Sequence, residues 1–119
     1  MASTVYKQYR NVTLSNTPIQ IVSGFSTLVG WNLINPNSSN VYLKLYNKAS
    51  SPDVASDTQE RTLLVPGSGT SFLSNEDKFQ LNFPLGMWAL VVTGITDSNN
   101  TAPGSGLYTE LLYDGNPAN

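Results

Sequence analysis

Asp97-Ser98-Asn99 has the D-x-N opening of a calcium loop and is the stretch of this sequence most nearly shaped for a metal ion. An EF-hand loop also needs further oxygen ligands, a central glycine and a distal bidentate glutamate. Glu110 lies beyond the position for that glutamate, and no helical pattern flanks the segment. Asp97 and Asn99 therefore read as turn residues that satisfy local backbone groups. The remaining acids fall mainly into two groups, Glu76-Asp77 and the trio Asp53, Asp57 and Glu60. Glycosidase chemistry needs two carboxylates facing each other across roughly 5–10 Å, whereas acids gathered on one loop read first as a solvated face. "PGSGTS", Pro66 to Ser71, is glycine-rich but lacks the Lys-Ser/Thr of a phosphate loop, so it reads as a turn. Sequons at Asn11, Asn37 and Asn99 are what chance gives in so Asn- and Ser/Thr-rich a chain, and without a secretory signal they carry no weight.

What is missing narrows the chemistry further. The 119 residues contain no cysteine and no histidine. A disulfide framework, a thiolate metal site, a Cys nucleophile, a Ser-His-Asp triad and His-ligated zinc are all excluded. An enzyme would have to work with carboxylates alone, so the expectation is a protein that is not an enzyme and needs no cofactor. Six Lys and Arg against eight Asp and Glu give a formal net charge of −2. Scattered cations of that number make neither a phosphate-binding face nor a membrane-surface patch. No apolar run approaches the roughly 20 residues of a spanning helix, and "MASTVYKQYRNVT" lacks the apolar core of a secretory signal. Nucleic acid and membrane are accordingly not expected partners. Ser, Thr and Asn take the place of charge, a surface that associates with little dependence on salt.

The elements that would position these residues are strands. Val41 to Asn47, "VYLKLYN", puts Val41, Leu43 and Leu45 on one side and Tyr42, Lys44 and Tyr46 on the other. Met87 to Thr93, "MWALVVT", is apolar on both sides and reads as a central strand covered on both faces. Arg61–Val65 and Leu107–Tyr113 are further strands, with weaker ones at Val5–Tyr9, Ile19–Ser23, Ser26–Leu33 and Phe79–Phe83. Breakers such as "INPNSSN", "SSPD", "PGSG" and "TAPGSG" separate them. Seven or eight short strands at this spacing predict an all-β chain, an antiparallel β-sandwich or jelly roll. At most one helical turn is expected, at Ser74–Phe79. The whole of 1–119 reads as one domain, with an extended N-terminal arm over residues 1–14.

Aromatic residues are the class in which function competes with packing. Trp31, Trp88, Phe79 and Phe83 suit a core. Tyr6 and Tyr9 near the N-terminus, and Tyr42 and Tyr46 on the polar-facing side of their strand, are candidates for an interface or for stacking on sugars.

From Ser39 to Phe72 the chain reads "SNVYLKLYNKASSPDVASDTQERTLLVPGSGTSF", followed by an apolar strand and then "VTGITDSNNTAP". This run resembles small virion structural proteins of tailed bacteriophages. The matching positions are Leu45 to Ala49, Asp57-Thr58, Thr62 to Pro66, Gly94, Asp97 and Thr101 to Pro103. The resemblance extends from about Gly24 to Tyr113 and departs in "NEDKFQLNFPLGMW". It includes no catalytic or ligand signature. Within that class a head decoration (cement) protein is the first expectation, and a tail or baseplate component or a carbohydrate-binding module are the alternatives. The resemblance implies a β-sandwich, often trimeric, made in the bacterial cytoplasm and carried on the particle surface against the major capsid protein or other virion proteins. Asp97 and Asn99, in the loop from Thr96 to Gly106, then join the four tyrosines as expected interface residues. Tyr6 and Tyr9 would lie in a groove of the shell or add a strand to it, and deletion of residues 1–10 would spare the fold. Chain ends such as "MAST" and "DGNPAN" are expected to order only where a neighbour holds them.

Overall fold

Alternating stretches separated by Asn, Pro and Gly fold as strands throughout the chain. The structure, a computed structural model, describes residues 6–74 and 78–115. Among these residues nine strands occur: β1 (Lys7–Leu14), β2 (Ile19–Ser23), β3 (Ser26–Ile34), β4 (Val41–Asn47), β5 (Arg61–Val65), β6 (Thr70–Leu73), β7 (Leu81–Phe83), β8 (Gly86–Val92) and β9 (Leu107–Asp114). They form two antiparallel sheets, ordered β1-β9-β3-β6, with β7 also on β3, and β2-β8-β4-β5. β6 pairs with Trp31 to Ile34 and β7 with Ser26 to Leu28, so together they make one interrupted edge of β3. Counting that edge once gives the two interleaved four-stranded sheets of a jelly roll.

Between the sheets lies a core that includes Leu33, Leu43, Leu45, Val65, Phe83, Met87, Val91 and Leu111. Strand alternation supplies it, with one adjustment in β3. Ser26 and Leu28 are buried at even positions, and Trp31 and Leu33 face the core at odd ones. The register against β9 shifts between Leu28 and Gly30, and this bulge carries the inward face from one parity to the other. β8 is apolar on both sides because both are covered. Met87, Ala89 and Val91 join the main core, and Leu90 and Val92 pack with Tyr46 and Val54 in a second cluster on the far side of the sheet.

The sandwich agrees with the sequence expectation, and three details differ. β6 begins within a stretch read as a turn, overlapping it at Thr70 and Ser71. From Lys7 onward the expected arm is an edge strand paired with β9, Tyr9 packs against the core, and deletion of residues 1–10 would remove half of β1. Tyr46 is buried. The helical turn expected at Ser74–Phe79 falls largely on residues 75–77, outside the described residues, as do the chain ends 1–5 and 116–119.

Candidate interaction surface

The two sheets present very different outer faces. That of β2-β8-β4-β5 is covered by two loops of the chain itself, residues 48–60 and 93–106. Val54 anchors the first by packing on Tyr46, Leu90 and Val92. Asp57 organises it: one carboxylate oxygen accepts from Lys48 Nζ at 2.8 Å and from the backbone N–H of Asp53 at 2.7 Å. The lysine hydrogen bond, then the backbone one, holds the Asp57 carboxyl below the ordinary range.

Lys44 fixes the second loop. Its side chain is 0% exposed. Its ammonium donates to the backbone carbonyls of Thr96, Asp97 and Asn99 at 2.7, 2.9 and 2.9 Å. An ammonium has three hydrogens, and here three carbonyls accept them. Burial pushes the Lys44 amine below its usual value, and the negative charge of Asp97 works against that shift. Gln59 ties the loops together, donating to the Asp97 carbonyl at 2.8 Å and to the Tyr46 hydroxyl at 3.0 Å. The segment that resembles a calcium loop thus holds a cation of its own, supplied by the strand beneath it.

A second pinned set of loops lies where β3 joins β4 and β5 joins β6. The buried Asn35 amide donates to the carbonyls of Ser39, Val65 and Pro66 at 2.9–3.1 Å. Its oxygen accepts from the N–H of Asn37 at 2.9 Å. Asn37 in turn makes a reciprocal pair with the backbone of Ser105, at 2.8 and 2.7 Å, which brings in the end of the 93–106 loop. Gly67 is required here, because a β-carbon would lie 2.2 Å from the Ser38 carbonyl oxygen. These loops are held by hydrogen bonds within the chain and keep one shape before any partner arrives.

The outer face of β1-β9-β3-β6 is open around Phe72 but closed at its β7 end, where Thr27 and Val29 are buried. A row runs across it from Arg10 through Glu110 and Asn32 to Phe72, set by strand register. Phe72 is 69% exposed and Ile34 42%. Glu110 accepts from the Tyr108 hydroxyl at 2.8 Å and the Asn32 amide at 3.1 Å, with Arg10 3.9 Å away. Those hydrogen bonds, the tyrosine's first, hold its carboxyl below the usual range. Beside Phe72 is a groove of about 150 Å³, lined by Gln8, Trp31, Leu73, Glu110 and Leu112 among others.

Against this geometry the expected interface residues separate. Tyr6 and Asp97 are exposed. Tyr9 is half-buried, and its hydroxyl accepts from Asn11. Asn99 is half-buried, its side-chain oxygen capping the N–H groups of Gly94 and Thr101. Tyr42 packs half-buried on the second cluster. Tyr46 is 0% exposed, a correction to the reading of the polar side of its strand. That side is covered by the chain's own loops, and burial raises the Tyr46 phenol above its ordinary value. No group of three or more His, Cys, Asp or Glu side chains placed to hold a metal ion occurs among the described residues. Glu76 and Asp77 lie outside them. Lys44, Asn35 and Phe72, which dominate these surfaces, carry no sequence signal beyond the alternation of strands and a breaker cluster.

No family model matches the chain. No curated protein is similar to it in sequence. Among solved structures, the Tobacco streak virus coat protein superposes over 98% of this chain and 88% of its own, with a TM-score of 0.46 and 9% identity. Likeness at that level bears on neither ancestry nor activity.

Proposed function

We propose that this chain is a non-enzymatic structural protein of a virion, specifically a head decoration protein that binds the shell of a tailed phage and stabilises it. The observation that carries the reading is the pinned loop surface. Lys44, Asn35, Asn37 and Gln59 fix the loops 35–40, 66–69 and 93–106 through hydrogen bonds within the chain, those of Asn35 and Lys44 buried or half-buried and those of Asn37 and Gln59 exposed. A surface ordered in advance loses little conformational entropy on docking. It is also nearly free of charge, with Asp97 its exposed acid. The phage-like sequence run supplies Gly94, Asp97 and Thr101 to Pro103 of this loop surface. The jelly roll is an architecture used in viral capsids, which supports the reading by fold-level analogy alone.

The mechanism is adhesive. Each loop platform contacts the major capsid protein, and self-association of the chain links several weak footprints, so effective concentration multiplies their affinity. Bridged shell subunits then resist separation under the pressure of a packaged genome. The sugar-stacking alternative loses Tyr46, which is enclosed, and finds Tyr42 half-enclosed, so no row of exposed tyrosines lies on β4.

Cosedimentation with purified, expanded phage heads and with purified tails tests the reading. Saturable uptake by heads, together with slower thermal rupture of the decorated heads, is the expected result. Uptake by tails alone would move the chain to the tail, and no uptake by either would end the virion reading.

A further inference from the structure

We propose that the groove where the 35–40 and 93–106 loops meet receives an extended, uncharged segment of the shell protein, in space that Gly104 leaves open. This names a contact within the decoration reading above and rests on that reading for the identity of the partner.

The groove has a volume of about 270 Å³ and is lined by residues 37–41, Thr93, Pro103 and Gly104. Its walls are set in advance. Asn37 ties the two loops through its pair of hydrogen bonds with Ser105. The Ser39 carbonyl accepts from the Asn35 amide at 2.9 Å, and the Asn40 side-chain oxygen accepts from the Gly67 N–H at 3.1 Å. The Thr93 N–H donates to the Thr101 carbonyl at 3.0 Å. A groove braced in this way loses little freedom when it is filled.

Gly104 is what keeps it open. Of the three glycines in the 93–106 loop, two are demanded by close contacts. A β-carbon at Gly94 would lie 2.5 Å from the Asn99 amide nitrogen, and one at Gly106 2.5 Å from the Thr13 backbone. At Gly104 a β-carbon would meet only the Asn37 side-chain oxygen, at an ordinary 3.5 Å. Its φ does not lie in the left-handed region either. The glycine is required by neither conformation nor packing, and its effect is to leave room beside Asn37.

The lining selects the occupant. Among the described residues that form it none is charged or aromatic. A charged segment would lose its hydration there with no counter-charge to replace it, and a sugar would find no ring to stack on. The hydroxyls of Ser38, Ser39 and Thr93 are exposed and make no hydrogen bond among the described residues. A hydroxyl both donates and accepts, and an extended peptide offers an N–H and a C=O at nearly every residue. The groove is also just below the roughly 300–1,000 Å³ of pockets that enclose whole small ligands. It suits a short stretch of a longer chain.

Cosedimentation with expanded heads tests the contact through Gly104→Trp, which puts an indole into the groove without backbone strain. Affinity should fall about thirtyfold or more, the loss at a central anchor, with an unchanged circular dichroism spectrum. Thr93→Val removes one hydroxyl and keeps the shape of the side chain. It should weaken uptake about three- to tenfold, the worth of one hydrogen bond, and carries the test by itself if the indole disturbs the loop. Leu85→Ser, a control at the other end of β4 where the Leu85 N–H donates to Asn47, should bind as wild type does. Wild-type uptake that Thr93→Val or a folded Gly104→Trp leaves unchanged would overturn the groove and spare the decoration reading. No uptake of the wild type would end that reading and this inference with it. Release of bound chain by an excess of free glucose or N-acetylglucosamine would give the groove to a sugar and overturn the peptide assignment.

Discussion

Lys44 occupies a position that strand alternation assigns to solvent, yet its ammonium donates to three backbone carbonyls. Removing the amine while keeping the length of the side chain takes three charged hydrogen bonds from the loop, although the Thr96 carbonyl keeps the Asn99 N–H and the Asp97 carbonyl keeps Gln59. Lys44→Met should therefore cost about 1–3 kcal/mol, the range for hydrogen bonds to a charged group, measured by urea unfolding. Asp57 gives a second prediction. Its folded-state value lies below the unfolded one, so the unfolded chain binds the extra proton more readily. Its contribution is complete above the ordinary carboxylate range and is lost as pH falls through that range and the folded value below it. Thermal midpoints followed from pH 6 downward should fall less steeply for Asp57→Asn than for wild type below about pH 4. Lys44 and Asp57 were both visible in the sequence as charged residues. Their partners are backbone groups or lie on other segments, which one-dimensional spacing does not report.

At the scale of elements, the strands that follow period-two patterning were legible and the one that inverts it was not. β4 and β5 match their expected bounds because Val41, Leu43, Leu45, Leu63 and Val65 alternate inward. β6 reads Thr-Ser-Phe-Leu, with Ser71 serving Trp31 and Phe72 in solvent. A polar residue turned inward and an aromatic turned outward cancel the signal on which such a reading depends. The loops between strands are specified by small-residue chemistry of equal strictness. Asn35→Ala would take a donor from the carbonyls of Ser39, Val65 and Pro66, the last of which keeps the Gly69 N–H, and the acceptor from the Asn37 N–H. A loss of about 2–3 kcal/mol is expected. Gly67→Ala should also destabilise, since its new methyl group would meet the Ser38 backbone. Differential scanning calorimetry of the two variants checks both, and a midpoint within a degree or so of wild type would contradict the account of this corner.

Taken whole, the molecule shows why composition predicted the sandwich but not its wiring. The apolar content and breaker spacing require two packed sheets, while strand order is decided by pairings such as β1 with β9 and β2 with β8 across most of the chain. The scarcity of charge survives folding. Lys44 is enclosed, Lys48 is matched to Asp57, and Arg10 lies beside Glu110. What remains outside is dominated by Ser, Thr and Asn. Affinity for expanded heads should accordingly change by less than about threefold between low and high salt, since few exposed charges are left to screen. A steep salt dependence in the same cosedimentation assay would contradict it.

The carbonyl cage above β4 has one more consequence. Its cation is tethered covalently to the polypeptide, so it cannot be exchanged, diluted away or competed for. The shape of the 93–106 loop will then outlast dialysis against EDTA or EGTA, conditions that collapse loops built around a divalent ion.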